Sequence, residues 1–143
     1  MPEKKTVERA RKAKQEGKAP STQAGEFVRE EIEHIREGKH GARSPEQAIA
    51  IGLSKARRAG VELPPPKKGK TSEETREKAE HDYEVGHSAT RKAPSPTRSR
   101  SRESALKKES RAAASHAALS KHAKKVAARR TRPTSKTTRK TTR

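Results

Sequence analysis

The sequence has no cysteine and no tryptophan, and its 143 residues include one phenylalanine, one tyrosine and one methionine. Without cysteine, disulfide bonds and thiolate metal sites are excluded. No segment approaches the ~18 apolar residues of a membrane span. The first 25 residues lack the apolar core of a signal peptide, and they carry acidic residues that a transit peptide avoids. These absences predict a soluble, cytoplasmic protein.

Apolar residues are also scarce, at 26% of the chain, whereas charged residues make up 38%. Typical globular proteins contain about 45–50% apolar and about 25% charged residues. Most of this chain therefore cannot bury enough apolar surface to offset the conformational entropy that folding removes. We expect a mostly α-helical protein with one small folded module, flanked by disordered, highly basic segments.

Positive charge is concentrated near the C-terminus. The formal net charge is +19, and residues 94–143 contribute 16 Lys or Arg against two acidic residues. An excess of this kind predicts a polyanionic partner, because Lys and Arg neutralise phosphates without reading base sequence. The expected phosphate contacts of this tail are Arg98, Arg100, Arg102, Lys107, Lys108, Arg111, Lys121, Lys124, Lys125, Arg129, Arg130, Arg132, Lys136, Arg139, Lys140 and Arg143.

The few large apolar residues begin in a segment that follows Pro20. Ser21 or Thr22 is predicted to cap a helix that runs to about Glu37, with Gly38 as its left-handed stop. The helical spacing of its apolar residues predicts a single stripe, formed by Phe27, Val28, Ile32 and Ile35. The opposite, polar face is predicted to carry Arg29, Glu30, Glu33 and Arg36.

A second helix is predicted over residues 44–60. Ser44 is a strong N-cap, Pro45 presets the backbone of the first helical position, and Gln47 is the capping-box partner. Ile49 and Leu53 contribute to its apolar stripe, and Gly52 would let a partner helix approach closely.

These two helices predict an antiparallel hairpin over residues 21–63, with a core of Phe27, Val28, Ile32, Ile35, Ile49 and Leu53. The hairpin is small, so pairing with a second copy remains an open alternative. Its loop and the end of its second helix add five expected phosphate contacts, which are Lys39, Arg43, Lys55, Arg57 and Arg58.

The remaining chain divides into a basic N-terminal helix or arm (1–20), a polar helix and linker (64–102) and an Ala/Lys/Arg-rich tail (103–143). Residues 86–102 are expected to be disordered. Residues 103–130 favour a helix by composition, but Lys121, Lys124 and Lys125 repel one another at helical spacing. We therefore expect that segment to be largely unfolded until phosphates neutralise it.

The six histidines are the candidates for metal binding or catalysis. His34 and His40 are six residues apart, as are two further pairs, and this spacing does not place a pair on one helical face. No HExxH arrangement exists, and no scaffold for a Ser/His/Asp triad is evident. We interpret the histidines as solvated surface residues and expect no metal, no cofactor and no enzymatic activity.

The segment GKHGARSPEQAIAIGLSKARRAG resembles a family of small, basic bacterial proteins of uncharacterised function. The matching residues are Glu26-Phe27, Gly38-Lys39, Ser44, Gln47-Ala48-Ile49-Ala50-Ile51, Leu53-Ser54 and Ala56. The resemblance implies a bacterial source and a helical hairpin, and it supplies no mechanism. The tail resembles linker-histone tails in composition, and Ser95-Pro96-Thr97-Arg98 resembles their SPxK/R turns.

Together these patterns predict a nucleoid-associated, histone-like protein that binds duplex DNA non-specifically. Duplex DNA is favoured because the chain lacks the aromatic residues on which single-stranded bases stack. Two alternatives remain open: an RNA- or ribosome-associated protein, and a protein-interaction module that its tail localises.

Overall fold

A computed structural model describes residues 3–88 and 95–131. Within these ranges the chain forms six α-helices and one 3-10 turn and contains no strand, so the predicted mostly α-helical class is confirmed. The helices are α1 (Lys4–Gln15), α2 (Pro20–Arg36), α3 (Pro45–Arg58), α4 (Glu73–His87), α5 (Pro96–Lys107) and α6 (His116–Thr131), and the 3-10 turn is Ala112–Ala114. None of the helices described is long and apolar enough to cross a membrane.

Helices α2 and α3 form the predicted hairpin, and the signals at the start of α3 act as expected. The Ser44 hydroxyl accepts a hydrogen bond from the backbone of Gln47 at 3.2 Å, and Pro45 is the first helical residue. The Gln47 side chain accepts from the backbone N–H of Arg43, one residue before the cap. The predicted start of α2 was wrong, because α2 begins at Pro20 without a side-chain cap.

Close approach of the two helices depends on Gly52. A Cβ atom at this position would lie 2.6 Å from the Cα atom of Val28, so any side chain would force α3 away from α2. Of the predicted hairpin core, Phe27 and Ile35 are almost fully buried. The other four core residues, which are Val28, Ile32, Ile49 and Leu53, are half-buried.

Two further helices pack against the hairpin. Helix α1 buries Thr6, Ala10 and Ala13, and Ala10 joins Phe27 in the larger apolar cluster. Helix α4 packs on α3 through Asp82, which accepts hydrogen bonds from Ser54 and Arg58 at 2.7 and 2.6 Å. We call residues 3–88, which contain these four helices, the body.

Residues 95–131, which we call the basic end, differ from the expectation for this region. We expected residues 86–102 to be disordered and residues 103–130 to be largely unfolded, whereas the structure has α5, the 3-10 turn and α6 within residues 95–131. Residues 89–94 of the first segment lie outside the described residues. Pro96 is the first residue of α5, so the SPxR segment starts a helix. Buried Ala113 and Ala114 explain part of this difference, since they pack against Ile35 of the body.

Candidate nucleic-acid interface and buried charge cluster

Backbone hydrogen bonds attach the basic end to the loop between α2 and α3. The N–H groups of Gly41 and Ala42 donate to the carbonyl oxygens of Leu106 and Ser110 at 2.8 and 3.0 Å. A Cβ atom at Gly41 would overlap with the carbonyl oxygen of Glu109, so this attachment requires glycine. The guanidinium of Arg36 adds a hydrogen bond from its Nε atom to the carbonyl oxygen of Ala114 at 2.9 Å. The basic end is thus attached to the body on both sides of its 3-10 turn.

The cations of the basic end are exposed. The predicted phosphate contacts that the structure describes there are Arg98, Arg100, Arg102, Lys107, Lys108, Arg111, Lys121, Lys124, Lys125, Arg129 and Arg130, and all eleven are exposed. The two acidic residues in this part of the chain are Glu103 and Glu109. The remaining tail residues of the prediction, Arg132, Lys136, Arg139, Lys140 and Arg143, lie outside the described residues.

Helix α6 is amphipathic, and charged side chains lie on its solvent-exposed face. Leu119, His122 and Val126 are half-buried and share one face, as residues three and four apart do in a helix. His122 on this face lies 3.2 Å from Glu46 of α3. Lys121 and Lys124 lie away from that face and are exposed. The inner face therefore holds α6 on the body and leaves Lys121 and Lys124 to solvent, whereas Lys125 Nζ lies 4.0 Å from Glu46 Oε1.

Helix α5 has a different character. None of its residues is buried, and it packs against no other helix within the described ranges. Arg98 and Arg102 are four residues apart and share one side, whereas Arg100 lies on the other. The helix therefore carries arginine on opposite sides.

The prediction for Arg57 was wrong. This residue is buried, and its guanidinium donates to the carbonyl oxygens of Leu63 and Pro64 at 3.2 and 3.4 Å. Burial lowers the pKa of Arg57, and nearby Asp82 opposes this effect. Arg57 thus closes the turn after α3 and is not presented to a ligand.

Most of the other hairpin cations are engaged with acidic side chains. The carboxylate of Glu37, 3.3 Å away, is the main cause of the raised pKa of Lys39. Lys55 pairs with Glu31, and Arg58 with Asp82. Arg43 is the freest, with 80% of its side chain exposed and Glu109 at 4.0 Å. The hairpin therefore offers fewer free cations than its sequence predicted.

A buried charge cluster lies where α2 meets the loop that follows it. We use this name for Glu30, Glu31, His34, His40 and Lys55. Glu31 is 1% exposed and Glu30 is 3% exposed, so Glu30 does not lie on a polar outer face as predicted. Lys55 Nζ bonds to Glu31 Oε1, and His40 Nε2 lies 3.1 Å from Glu31 Oε2.

His34 connects this cluster to the N-terminus of the body. Its Nε2 atom lies 3.0 Å from Glu3 Oε1 and 3.7 Å from Glu30 Oε1. The hydrogen bond with His34 is the main cause of the lowered pKa of Glu3. The backbone N–H of Glu3 also donates to Glu30 Oε1 at 2.8 Å. These bonds fix the start of α1 against α2.

The interpretation of His34 and His40 as solvated surface residues was wrong, because their side chains are 15% and 12% exposed. Helical spacing could not bring them together, since His34 lies in α2 and His40 in the loop beyond its end. The left-handed backbone of Gly38, with φ of 79°, reverses the chain and returns His40 to the helix. The glycines around His40 were the signal in the sequence that the chain turns back here.

A comparison with protein families gives a match to part of the chain. Residues 3–68 match a family described as "Family of unknown function (DUF6496)". The match includes α1, α2 and α3 and ends before α4 and the basic end. No curated protein and no solved structure shows significant similarity to this chain.

Proposed function

We propose that this protein binds duplex DNA non-specifically through the phosphates of the double helix, using the basic end as its contact surface. The role would be nucleoid-associated and histone-like, in a bacterial cytoplasm. The observation that carries the proposal is the exposure of eleven cations in a segment with two acidic residues. Each cation that neutralises a phosphate releases a condensed counterion, and this release drives binding without base-specific contacts.

The attachment of the basic end to the body supports a defined surface. Helix α6 rests on α3 with its half-buried face, so Lys121 and Lys124 keep a fixed position relative to the body. Cations on a preformed helix lose less conformational entropy on binding than cations on an unfolded tail. Because α6 is already docked on the body, it can support DNA binding with a modest number of phosphate contacts.

Helix α5 adds a flexible counterpart to this surface. Leu106 at its end accepts a backbone hydrogen bond from Gly41, but α5 packs on no other described helix and has no buried residue, so the rest of the helix depends on local interactions. Phosphates near Arg98 and Arg102 would relieve repulsion between cations and so stabilise the helix. We therefore place the gain of helix on DNA binding in α5 rather than in α6.

The absence of aromatic residues from the basic end argues against single-stranded nucleic acid as the ligand. Residues 95–131 contain no Phe, Tyr or Trp, so they have no aromatic platform on which unpaired bases could stack. A surface of this kind favours a double helix over single strands, and of the two kinds of duplex we propose DNA as the ligand. Binding of duplex RNA with equal affinity would support the RNA-associated alternative instead.

The salt dependence of binding tests the proposal. If the protein neutralises about 8–12 phosphates, log K should fall against log salt with a slope of roughly −7 to −11. The double substitution Lys121→Gln/Lys124→Gln should make this slope shallower by about 2, because each lysine accounts for about one phosphate. The matched control is Lys67→Gln/Lys68→Gln in the linker before α4, which should leave the slope unchanged.

Two results would contradict the proposal. One is a slope near −2 for the unaltered protein, which would leave most of the basic end without a phosphate partner. The other is strong preference for one duplex among scrambled duplexes of the same length. Competition with single-stranded DNA and duplex RNA in the same assay ranks the three ligands.

A further inference from the structure

We propose that the buried charge cluster binds one divalent transition-metal ion of the zinc class, with Glu31, His34 and His40 as the protein ligands. One ligand atom from each of these residues lies within 4.8 Å of the other two. Two imidazole nitrogens and a carboxylate oxygen form a donor set that suits Zn²⁺ and neighbouring dications in proteins.

Glu31 provides the strongest support. Its side chain is almost fully buried, and Lys55 occupies its Oε1 atom. Its Oε2 atom accepts no hydrogen bond of acceptable geometry within the described residues, although His40 Nε2 lies 3.1 Å away. A buried carboxylate oxygen without a donor is costly, and a cation would satisfy it.

The separation between Glu31 and His40 already fits a shared ion. With metal–ligand bonds of about 2.0–2.1 Å, two ligand atoms of a tetrahedral site lie about 3.3 Å apart. Glu31 Oε2 and His40 Nε2 are 3.1 Å apart. This pair can therefore ligate one ion with little rearrangement.

The orientation of His40 also suits a ligand. Its Nδ1 atom lies 2.9 Å from the carbonyl oxygen of Gly41. A carbonyl oxygen only accepts, so Nδ1 carries the proton, and in the neutral ring Nε2 keeps its lone pair on the side of Glu31. Metal-bound histidines are commonly fixed by such a hydrogen bond to a backbone carbonyl.

His34 is the third ligand, and an ion bound at its Nε2 atom would replace the hydrogen bond of 3.0 Å between this atom and Glu3 Oε1. Glu30 contributes to the charge of the site. The rings of His34 and His40 meet edge to face, with 6.2 Å between their centroids. Glu30, which is also buried, has an Oε2 atom that accepts no hydrogen bond within the described residues. Its negative charge beside the site offsets the positive charge of Lys55.

The site lies beside the attachment of the basic end. His40 directly precedes Gly41 and Ala42, whose N–H groups hold Leu106 and Ser110. An ion that joins His40 to α2 would fix this loop and stabilise both the hairpin and the attachment. The proposal does not depend on nucleic-acid binding, and its test contains none.

Calorimetric titration of the full chain with Zn²⁺ near neutral pH tests the site, and Co²⁺ absorption reports the coordination geometry. We expect one equivalent to bind and the melting temperature to rise with Zn²⁺ concentration. His40→Gln and His34→Gln should each weaken binding at least about tenfold, and the double variant should remove it. His81→Gln, which alters an exposed histidine of α4, is the matched control and should bind like the unaltered protein.

The same measurements can overturn the proposal. Equal Zn²⁺ binding by the double variant and the unaltered protein would show that the ions bind elsewhere. Absence of binding to the unaltered protein would show that His34 and His40 serve as ion-pair partners of the buried carboxylates only. His40→Gln alone, with its helix content verified by circular dichroism, decides the question if the double variant fails to fold.

Discussion

In the body, 19 lysine and arginine residues are accompanied by 16 acidic residues, whereas in the basic end eleven are accompanied by two. The body uses many of its charges internally: Arg57 closes a turn, Lys55 pairs with Glu31, and Arg58 with Asp82. The basic end leaves its eleven cations exposed. The number of cations in the sequence therefore overstates the positive surface of the body, whereas the cations of the basic end remain exposed.

The two regions also differ in how they are held. The body has a buried aromatic residue, Phe27, surrounded by small apolar side chains. The basic end has two buried alanines, the half-buried inner face of α6 and two backbone hydrogen bonds to the α2–α3 loop. We infer that the body is the more stable region and that the basic end can detach without unfolding it.

Removal of residues 94–143 should give the largest effect on DNA binding. The change deletes 16 of the 37 cations, and we expect duplex affinity to fall by about 10³-fold or more at moderate salt. Circular dichroism of the shortened protein should still show a cooperative unfolding transition for the body. Retention of affinity within a few-fold would contradict the division between the two regions.

Phe27→Asp should unfold the body while affecting DNA binding much less. Replacement of a buried Phe by a small residue costs about 3–5 kcal/mol, and a buried unpaired carboxylate adds to this. Thermal melting should show an unfolded body, whereas duplex affinity should fall far less than on deletion of residues 94–143. Ile49→Asp is a useful comparison, because Ile49 is half-buried and should cost less. Unchanged helicity in Phe27→Asp would contradict the packing of Phe27.

Sequence patterns predicted the hairpin because its signals are local. The Ser44 cap, the stripe of Phe27 and Ile35 and the small Gly52 all act within or between adjacent helices. The burial of Glu30, Glu31 and Arg57 could not be predicted this way. Their partners are distant in sequence or in the backbone, so helical periodicity alone assigns charged residues to solvent.

The attachment of the basic end was missed for a related reason. Ala113 and Ala114 bury small surfaces against Ile35, and the bonds at Gly41 and Ala42 join backbone atoms that carry no sequence signal. Helix α5 was missed because its polar composition resembles that of a disordered segment. Such contacts can be predicted only when the three-dimensional position of the α2–α3 loop is known.

Gly41→Ala should detach the basic end from the body, and its effect should be smaller than that of Phe27→Asp. The new Cβ atom would overlap with backbone atoms of Glu109, and overpacking of this kind costs about 1–3 kcal/mol. Faster amide hydrogen exchange in the basic end, with exchange in α2 and α3 unchanged, would measure the detachment. Gly25→Ala in α2 is the matched control, because a Cβ atom there meets nothing within 4 Å and should stabilise the helix by about 0.5–1 kcal/mol. Identical exchange in the two variants would argue against the attachment.

Acidification should give the smallest effect. A hydrogen bond from its own backbone, followed by His122, holds the pKa of Glu46 below its usual 4.5. A lowered pKa means that the ionised group stabilises the fold above pH 4.5 and that this contribution is lost as pH falls through the lowered pKa. Between about pH 5 and about pH 3 the melting temperature should therefore fall more in the unaltered protein than in Glu46→Gln. The melting temperature of Glu62→Gln, altered at an exposed position, should fall with pH as it does in the unaltered protein. The same fall in Glu46→Gln would show that Glu46 makes no such contribution.

We propose that DNA contacts the basic end and not the body, and residue-resolved NMR titration of the full chain with a short duplex can distinguish the two regions. We expect the largest amide shifts within residues 95–131, around Arg98, Arg102, Lys121 and Lys124, while the amides around Phe27 and Ile35 keep their positions. Largest shifts within residues 3–88, with residues 95–131 unchanged, would contradict it.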